Sequence, residues 1–122
     1  MKYVINQEPE IQTVTVEVRG TINTRVAEEM VLVAGLELNY TDFQKCFIDL
    51  TNSELDPNQT MSEMFMFVET YKRAGIKKSV KMAAMVSTLD KHRLHLEKAA
   101  VLEGYKLKHF KTRNEALYWL DR

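Results

Sequence analysis

The sequence contains few of the residues on which specialised small proteins depend. Among its 122 residues there are one cysteine, two prolines and four glycines. The single Cys46 rules out an internal disulfide, and we expect its thiol to behave as a small buried hydrophobe in a reducing compartment. The four glycines are scattered and do not form a phosphate-binding loop. These absences predict an ordinary globular chain that folds without disulfide bridges.

Long hydrophobic runs are missing as well. The first ten residues, MKYVINQEPE, lack the apolar stretch of a secretion signal. No run approaches the roughly 20 apolar residues that a membrane span requires. A chain of this length that is 45% hydrophobic and 28% charged can bury a real core as one domain, 1–122. We therefore expect a cytoplasmic single-domain protein, and no motif indicates a cofactor.

The net charge of zero conceals an uneven distribution. Residues 1–71 carry four Lys or Arg against twelve Asp or Glu, and residues 72–122 carry thirteen against five. The imbalance indicates either an anionic partner or two halves of one fold that attract each other. The cations are spread over several elements without interleaved aromatic residues, so we predict no nucleic-acid binding and at most weak attraction to an anionic membrane surface. The densest cationic group flanks Gly75 and comprises Lys72, Arg73, Lys77 and Lys78.

Hydrophobic periodicity predicts a β-hairpin followed by alternating strands and helices. The predicted strands cover residues 2–6, 14–18, 45–50, 80–86 and 105–110. Three predicted helices run from Asn23 or Thr24 to about Leu38, over 56–74 and over 87–104. A fourth, short helix is predicted after a capping box formed by Thr112 and Glu115. This order predicts an α/β fold with a five-stranded, mixed, mostly parallel sheet and four helices.

Three segments together resemble a known family. They are the apolar run Phe47 to Leu50 with the polar stretch 51–60 after it, the helix end at Ala74 and Gly75, and the closing sequence NEALYWL at 114–120. The chain resembles the SpoIIAA-like domains, which have the STAS fold of sulfate transporters and anti-sigma-factor antagonists. The resemblance implies a non-enzymatic regulatory or interaction module that docks through the loop after the third strand and the second helix.

The chain departs from that family at the phosphoacceptor serine. In the antagonists this serine lies about eight residues beyond the strand aspartate, whereas eight residues beyond Asp49 is Pro57. Neighbouring hydroxyls are present in Ser53, Thr60 and Ser62. Because none of them is in register, we predict that none carries a stoichiometric phosphate.

Helix-capping signals explain the same stretch. Asp56 as N-cap, Pro57 at the first helical position and Gln59 fit one capping box, and Thr60 with Glu63 fits another. We therefore predict that Asp56→Ala, by removing an N-cap, costs on the order of 1 kcal/mol of stability.

Candidate catalytic groups do not converge in the sequence. His92 and His95 are three residues apart on a predicted helix, but no acidic or thiol partner accompanies them. Cys46 lacks a recognisable base. We predict neither an enzyme nor a metal site.

Apolar side chains on the outer faces of the predicted helices suggest an alternative function. Leu32 and Leu36 oppose the core stripe of the first helix, and Met66 opposes that of the second. Neighbouring helices can bury them, or they mark a dimer face, a lipid-facing surface or a pocket. The alternative is a small apolar-ligand or lipid binder with weak membrane association, which the kinship of SpoIIAA-like domains with the CRAL-TRIO lipid-transfer fold also implies.

Six residues are the candidate partner-binding or ligand-binding positions. They are Thr51, Asp56, Asn58, Met66, Leu32 and Leu36. We expect the first four at the docking surface. For Leu32 and Leu36, contact with a second copy in a homodimer is expected more than contact with a membrane.

Overall fold

A computed structural model of the protein describes residues 2–56, 58 and 61–122, without the side chains of Leu55, Met61, Ser62, Met64, Phe65 and Met66. The strands are β1 (Tyr3–Glu8), β2 (Thr13–Ile22), β3 (Lys45–Leu55), β4 (Lys81–Met85) and β5 (Lys106–Phe110). The helices are α1 (Thr24–Thr41), α2 (Met61–Arg73), α3 (Lys91–Leu102) and α4 (Arg113–Leu120). A short 3-10 turn, Pro9–Ile11, joins the first two strands.

The five strands form one sheet in the order β1-β2-β3-β4-β5. Strands β1 and β2 are antiparallel, with Ile5 opposite Val16. All other pairings are parallel, and Ile48 lies opposite Ala84. The predicted hairpin and the predicted five-stranded, mixed, mostly parallel sheet are both confirmed. Because each successive strand adds to the same side of the sheet, right-handed connections place α1, α2 and α3 together on one face.

The two faces of the sheet differ in how they are covered. Helices α1 to α3 pack over the larger core cluster, which includes Val16, Met82 and Ala84. Helix α4 covers a smaller cluster on the opposite face, which consists of Phe47, Ala83, Ala116 and Leu120. Strand alternation in β4 thus directs Ala83 and Ala84 to opposite faces.

Side-chain caps define the starts of three helices. Asn23 Oδ1 accepts a hydrogen bond from the Val26 amide at 2.9 Å, and Thr112 Oγ1 accepts one from the Glu115 amide at 3.2 Å. Both caps were predicted and are confirmed. The predicted start of the third helix at Ser87 is wrong, because α3 is capped by Asp90, whose Oδ1 accepts from the Arg93 amide at 2.9 Å. Capping satisfies amides that have no partner within the helix.

The predicted end of the third strand at Leu50 is wrong. Strand β3 continues to Leu55, and its pairing with β2 shifts by one residue between Glu17 and Arg19. Such a β-bulge places one extra residue in β3 and interrupts the apolar alternation from which the strand was predicted. Thr51 consequently belongs to the strand and not to a loop after it.

Helix α2 begins at Met61, so Asp56 is not its N-cap. The Asp56 amide instead donates to the Ile22 carbonyl at 3.1 Å, and Asp56 Oδ1 accepts from the Asn58 amide at 2.9 Å. The residues needed for the other cap predictions, Pro57, Gln59 and Thr60, lie outside the described residues.

A close approach between α1 and the end of α2 requires glycine at position 35. A Cβ atom there would lie 2.6 Å from the Ala74 carbonyl oxygen. The sequence thus lets the two helices pack tightly against each other. None of the helices in the described part of the chain is long and apolar enough to cross a membrane.

Candidate functional site

The parallel strands end at a common edge of the sheet, where a polar cleft lies. Its volume is about 310 Å³, and it is lined by Gly20, Thr21, Thr51, Asn52, Ser53, Glu54 and Ser87. Ligands of open α/β sheets bind at the carboxyl ends of the strands. The cleft therefore has the position expected of a binding site.

The structure places three of the predicted site residues at this edge. Thr51 is held by Asp49, whose Oδ1 accepts from the Thr51 amide at 3.0 Å and from Thr51 Oγ1 at 2.6 Å. Asp56 follows directly after β3, and Asn58 is exposed. Ser53 Oγ, one of the hydroxyls considered for phosphorylation, is largely buried and donates to the Leu50 carbonyl at 2.9 Å.

The other predicted site residues are not brought to the cleft. Leu32 and Leu36 lie on the outer side of α1 in line with Tyr40, and the three side chains are 37%, 69% and 85% exposed. Their spacing of four residues makes them one stripe on the helix. Their role in a homodimer remains a prediction. The side chain of Met66 lies outside the described residues, as do Thr60 and the side chain of Ser62.

A second cavity lies between the sheet and helices α1 to α3 and is partly open to the surface. Its volume is about 100 Å³, and its lining is almost wholly apolar. An engineered apolar cavity of about 150 Å³ in another protein binds benzene, about 25 Å³ for each carbon, so this volume holds an apolar group of about four carbons. The few polar residues of the lining include Ser53, Arg93 and His109. All three lie toward the carboxyl ends of the strands, at the same end of the molecule as the cleft.

Arg93 is a charged residue in an almost fully buried position. Its exposed fraction is 7%. Its Nε atom lies 3.8 Å from Asp90 Oδ2, which is too far for a hydrogen bond, and its guanidinium donates no hydrogen bond to any residue in the described part of the chain. Burial lowers the pKa of Arg93, and the charge of Asp90 partly opposes that shift. The guanidinium thus has no hydrogen-bonded partner among the described residues, although its nitrogen atoms keep some contact with solvent.

His109 lies beside Arg93 and is tied to helix α3. Glu97 Oε1 accepts a hydrogen bond from the His109 amide at 2.7 Å and lies 3.0 Å from its Nδ1. Burial lowers the pKa of His109, the hydrogen bond to Glu97 opposes the shift, and the positive charge of Arg93 adds to it. The ring is thus neutral near pH 7, with Nδ1 donating to the carboxylate.

The residues considered for catalysis do not form a reactive group. Cys46 is buried, as predicted, and burial raises the pKa of its thiol to about 12, so that the thiol is protonated at physiological pH. His92 and His95 are half-buried on α3. Among the described residues no three His, Cys, Asp or Glu side chains are grouped as metal ligands.

Three of the four cations around Gly75 lie near carboxylates, and the fourth, Lys78, has its Nζ 5.6 Å from the centre of the Tyr105 ring. Arg73 lies 3.8 Å from Glu28, and Lys77 lies 3.1 Å from Asp42. Lys72 contacts two carboxylates, those of Glu103 at 3.2 Å and Glu69 at 3.4 Å. Since Glu28 and Asp42 belong to the acidic half of the chain, these pairs support the interpretation that the two halves attract each other.

Comparison with solved structures supports the fold, whereas comparison with family models and with curated proteins finds no match. No protein-family model matches the chain, and no curated protein matches it. The chain is similar to the solved structure of an uncharacterized protein of the DUF3478 family with a SpoIIAA-like fold from Shewanella loihica. In that match the TM-score is 0.57, the identity is 16%, and 97% of this chain and 93% of the other are covered.

The chain is also similar to the anti-sigma factor antagonist SpoIIAA in its unphosphorylated form. Here the TM-score is 0.54, the identity is 8%, and 98% of this chain and 97% of the other are covered. The protein therefore has the SpoIIAA-like, or STAS, fold, as the sequence predicted.

Sequence reasoning missed Arg93 and His109, although each left a signal. Arg93 is four residues after Leu89 and three before Leu96, so it falls on the apolar stripe of α3. His109 is two residues after the inward-facing Leu107 in β5 and lies on the same face of the strand. A charged or polar residue at a core position of a helix or strand was the available sign of a buried polar group.

Proposed function

We propose that this protein is a non-enzymatic regulatory module of the STAS type that docks on a protein partner at the carboxyl-end edge of its sheet. The docking surface comprises the cleft around Thr51, the turn at Asp56 and Asn58, and the start of α2. Thr51 and Asp56 are held in place by hydrogen bonds within the chain. Such a fixed edge suits recognition because little ordering is needed on binding.

The observation that carries this proposal is the position of the cleft on this fold. The chain shares its fold over nearly its whole length with an anti-sigma factor antagonist. Likeness of fold is an analogy and does not by itself assign a function. The polar cleft and the exposed Asn58 provide the local surface at which a partner is expected.

Site-specific photo-crosslinking in the native cell tests this proposal. A photoreactive amino acid replaces Asn58 in one variant and the exposed Asn114 of α4 in a control variant. We expect one discrete crosslinked partner with the probe at position 58 and none with the probe at 114. Equal crosslinking at both positions, or none at position 58, would contradict the proposal.

The apolar cavity between the sheet and helices α1 to α3 supports a second candidate function, the binding of a small apolar ligand. Its apolar lining and its place beneath three helices are those of a small-molecule site. Native mass spectrometry of protein purified from its own cells is expected to show a retained mass that is lost on denaturation. Protein that retains no ligand and binds no member of a panel of small apolar compounds would exclude this function.

A further inference from the structure

The buried Arg93 has more donors than acceptors around it. A guanidinium carries five N–H groups and keeps its charge in proteins. The carboxylate facing it, that of Asp90, lies 3.8 Å away, and its side chain is 45% exposed. Arg93 is also the third residue of α3, where the helix dipole is unfavourable to a cation. Burial and the dipole therefore both disfavour a positive charge here, and an added anion would relieve both.

We propose that the cavity binds a small apolar monocarboxylic acid whose carboxylate pairs with Arg93. This inference rests on the second candidate function and adds the chemical class of the ligand. A guanidinium matches the planar carboxylate in a two-point arrangement.

The surrounding groups favour one negative charge on the ligand. Glu97 and Asp90 lie at the same end of the cavity as Arg93, and His109 is neutral and already donates to Glu97. Two resident carboxylates would repel a doubly charged group such as a phosphate monoester. A carboxylate brings a single charge, which Arg93 neutralises.

The remainder of the cavity sets the size and polarity of the rest of the molecule. Away from Arg93 the lining includes Leu38, Ile76 and Leu107, which lie toward the amino ends of the strands. A volume of about 100 Å³ suits a short branched aliphatic tail rather than a long acyl chain. The expected ligand is an acid such as 3-methylbutanoate, whose four-carbon tail fills the cavity while its carboxylate lies outside that volume, against the guanidinium of Arg93.

Calorimetric titration with 3-methylbutanoate and its isosteric neutral analogue, 3-methylbutanamide, tests this inference. For the unaltered protein we expect the acid to bind about tenfold to a hundredfold more tightly than the amide, which is the usual strength of a charged hydrogen bond. Arg93→Met is expected to remove that preference. Arg113→Met, at an arginine on the opposite face of the sheet, is expected to retain it.

The outcomes separate the two claims. Equal binding of acid and amide by the unaltered protein would overturn the role of Arg93 but leave a small-ligand site in place. Binding of neither compound would contradict both claims. The comparison of acid with amide uses the unaltered protein and needs no variant. Arg93→Lys keeps the charge but loses the two-point geometry, so this variant is expected to show a reduced preference for the acid. An unchanged preference in Arg93→Met would place the carboxylate elsewhere.

Discussion

The two faces of the sheet place their cations differently. On the α4 face, the guanidinium carbon of Arg113 lies 4.9 Å from the centre of the Phe47 ring, and Lys81 Nζ lies 5.3 Å from the centre of the Trp119 ring. Arg113 is exposed to water and Lys81 is half-buried. On the other face, Arg93 is buried beneath the helices beside an apolar cavity.

This difference indicates two roles for the same kind of side chain. A cation over an aromatic ring at the surface keeps its hydration and stabilises the fold by about 0.5–1 kcal/mol. A buried cation with a distant partner loses hydration and gains little in return. Arg113 therefore has a structural explanation within the chain, whereas for Arg93 we propose a ligand. Each of the following predictions tests that contrast.

The largest effect is expected from removing the two arginine charges. Arg93→Met should raise the free energy of unfolding by about 1–3 kcal/mol, because an apolar chain of similar length suits the buried position better. Arg113→Met should lower the free energy of unfolding by up to about 1 kcal/mol. Urea denaturation measures both. A loss of stability in Arg93→Met larger than that in Arg113→Met would show that Arg93 serves the fold.

The neighbouring alanines of β4 test the cavity itself. Ala83 faces α4 in a packed cluster and Ala84 lines the cavity. Ala83→Val should cost about 1–3 kcal/mol through overpacking, whereas Ala84→Val should cost much less or stabilise, since the added methyl groups enter available space. Thermal denaturation of both variants compares them directly. Similar losses at the two positions would mean that the cavity side is packed as tightly as the α4 side.

The N-caps of α3 and α4 provide a smaller contrast. Thr112→Ala should cost about 1 kcal/mol, the usual value for a lost cap. Asp90→Ala should lower the free energy of unfolding by the same cap contribution plus a further loss of up to about 1 kcal/mol, because it also removes the carboxylate facing Arg93. In an Arg93→Met background the extra cost should disappear. If it persists in the double mutant, the contribution of Asp90 does not depend on the charge of Arg93.

The smallest effect concerns pH. Burial lowers the pKa of His109 in the folded state below its ordinary value near 6.5. As pH falls below about 6.5, the unfolded chain binds a proton first, so stability is lost on acidification and fully retained above that pH. His109→Asn, which keeps a donor near the position of Nδ1, should flatten this part of the curve between about pH 7 and pH 5. An unchanged slope would show that His109 does not contribute to it.

Local signals in the sequence predicted more of the fold than of the cavity. The caps at Asn23 and Thr112 were predictable because each depends on residues within one helical turn. The end of β3 was not, because a bulge against β2 interrupts the alternation near Leu50. Nor was the cavity, since it arises only where three helices meet the sheet. Arg93 was recognisable as a cation on an apolar stripe, but its missing hydrogen bonds depend on tertiary packing.

Methyl NMR of alanine-labelled protein during titration with 3-methylbutanoate tests the account most directly. The Ala84 methyl group lines the cavity, and those of Ala83 and Ala116 lie on the α4 face. The account predicts a saturable shift of the Ala84 signal while the signals of Ala83 and Ala116 stay in place. An unmoved Ala84 signal, or equal shifts on both faces, would contradict a binding site between the sheet and helices α1 to α3.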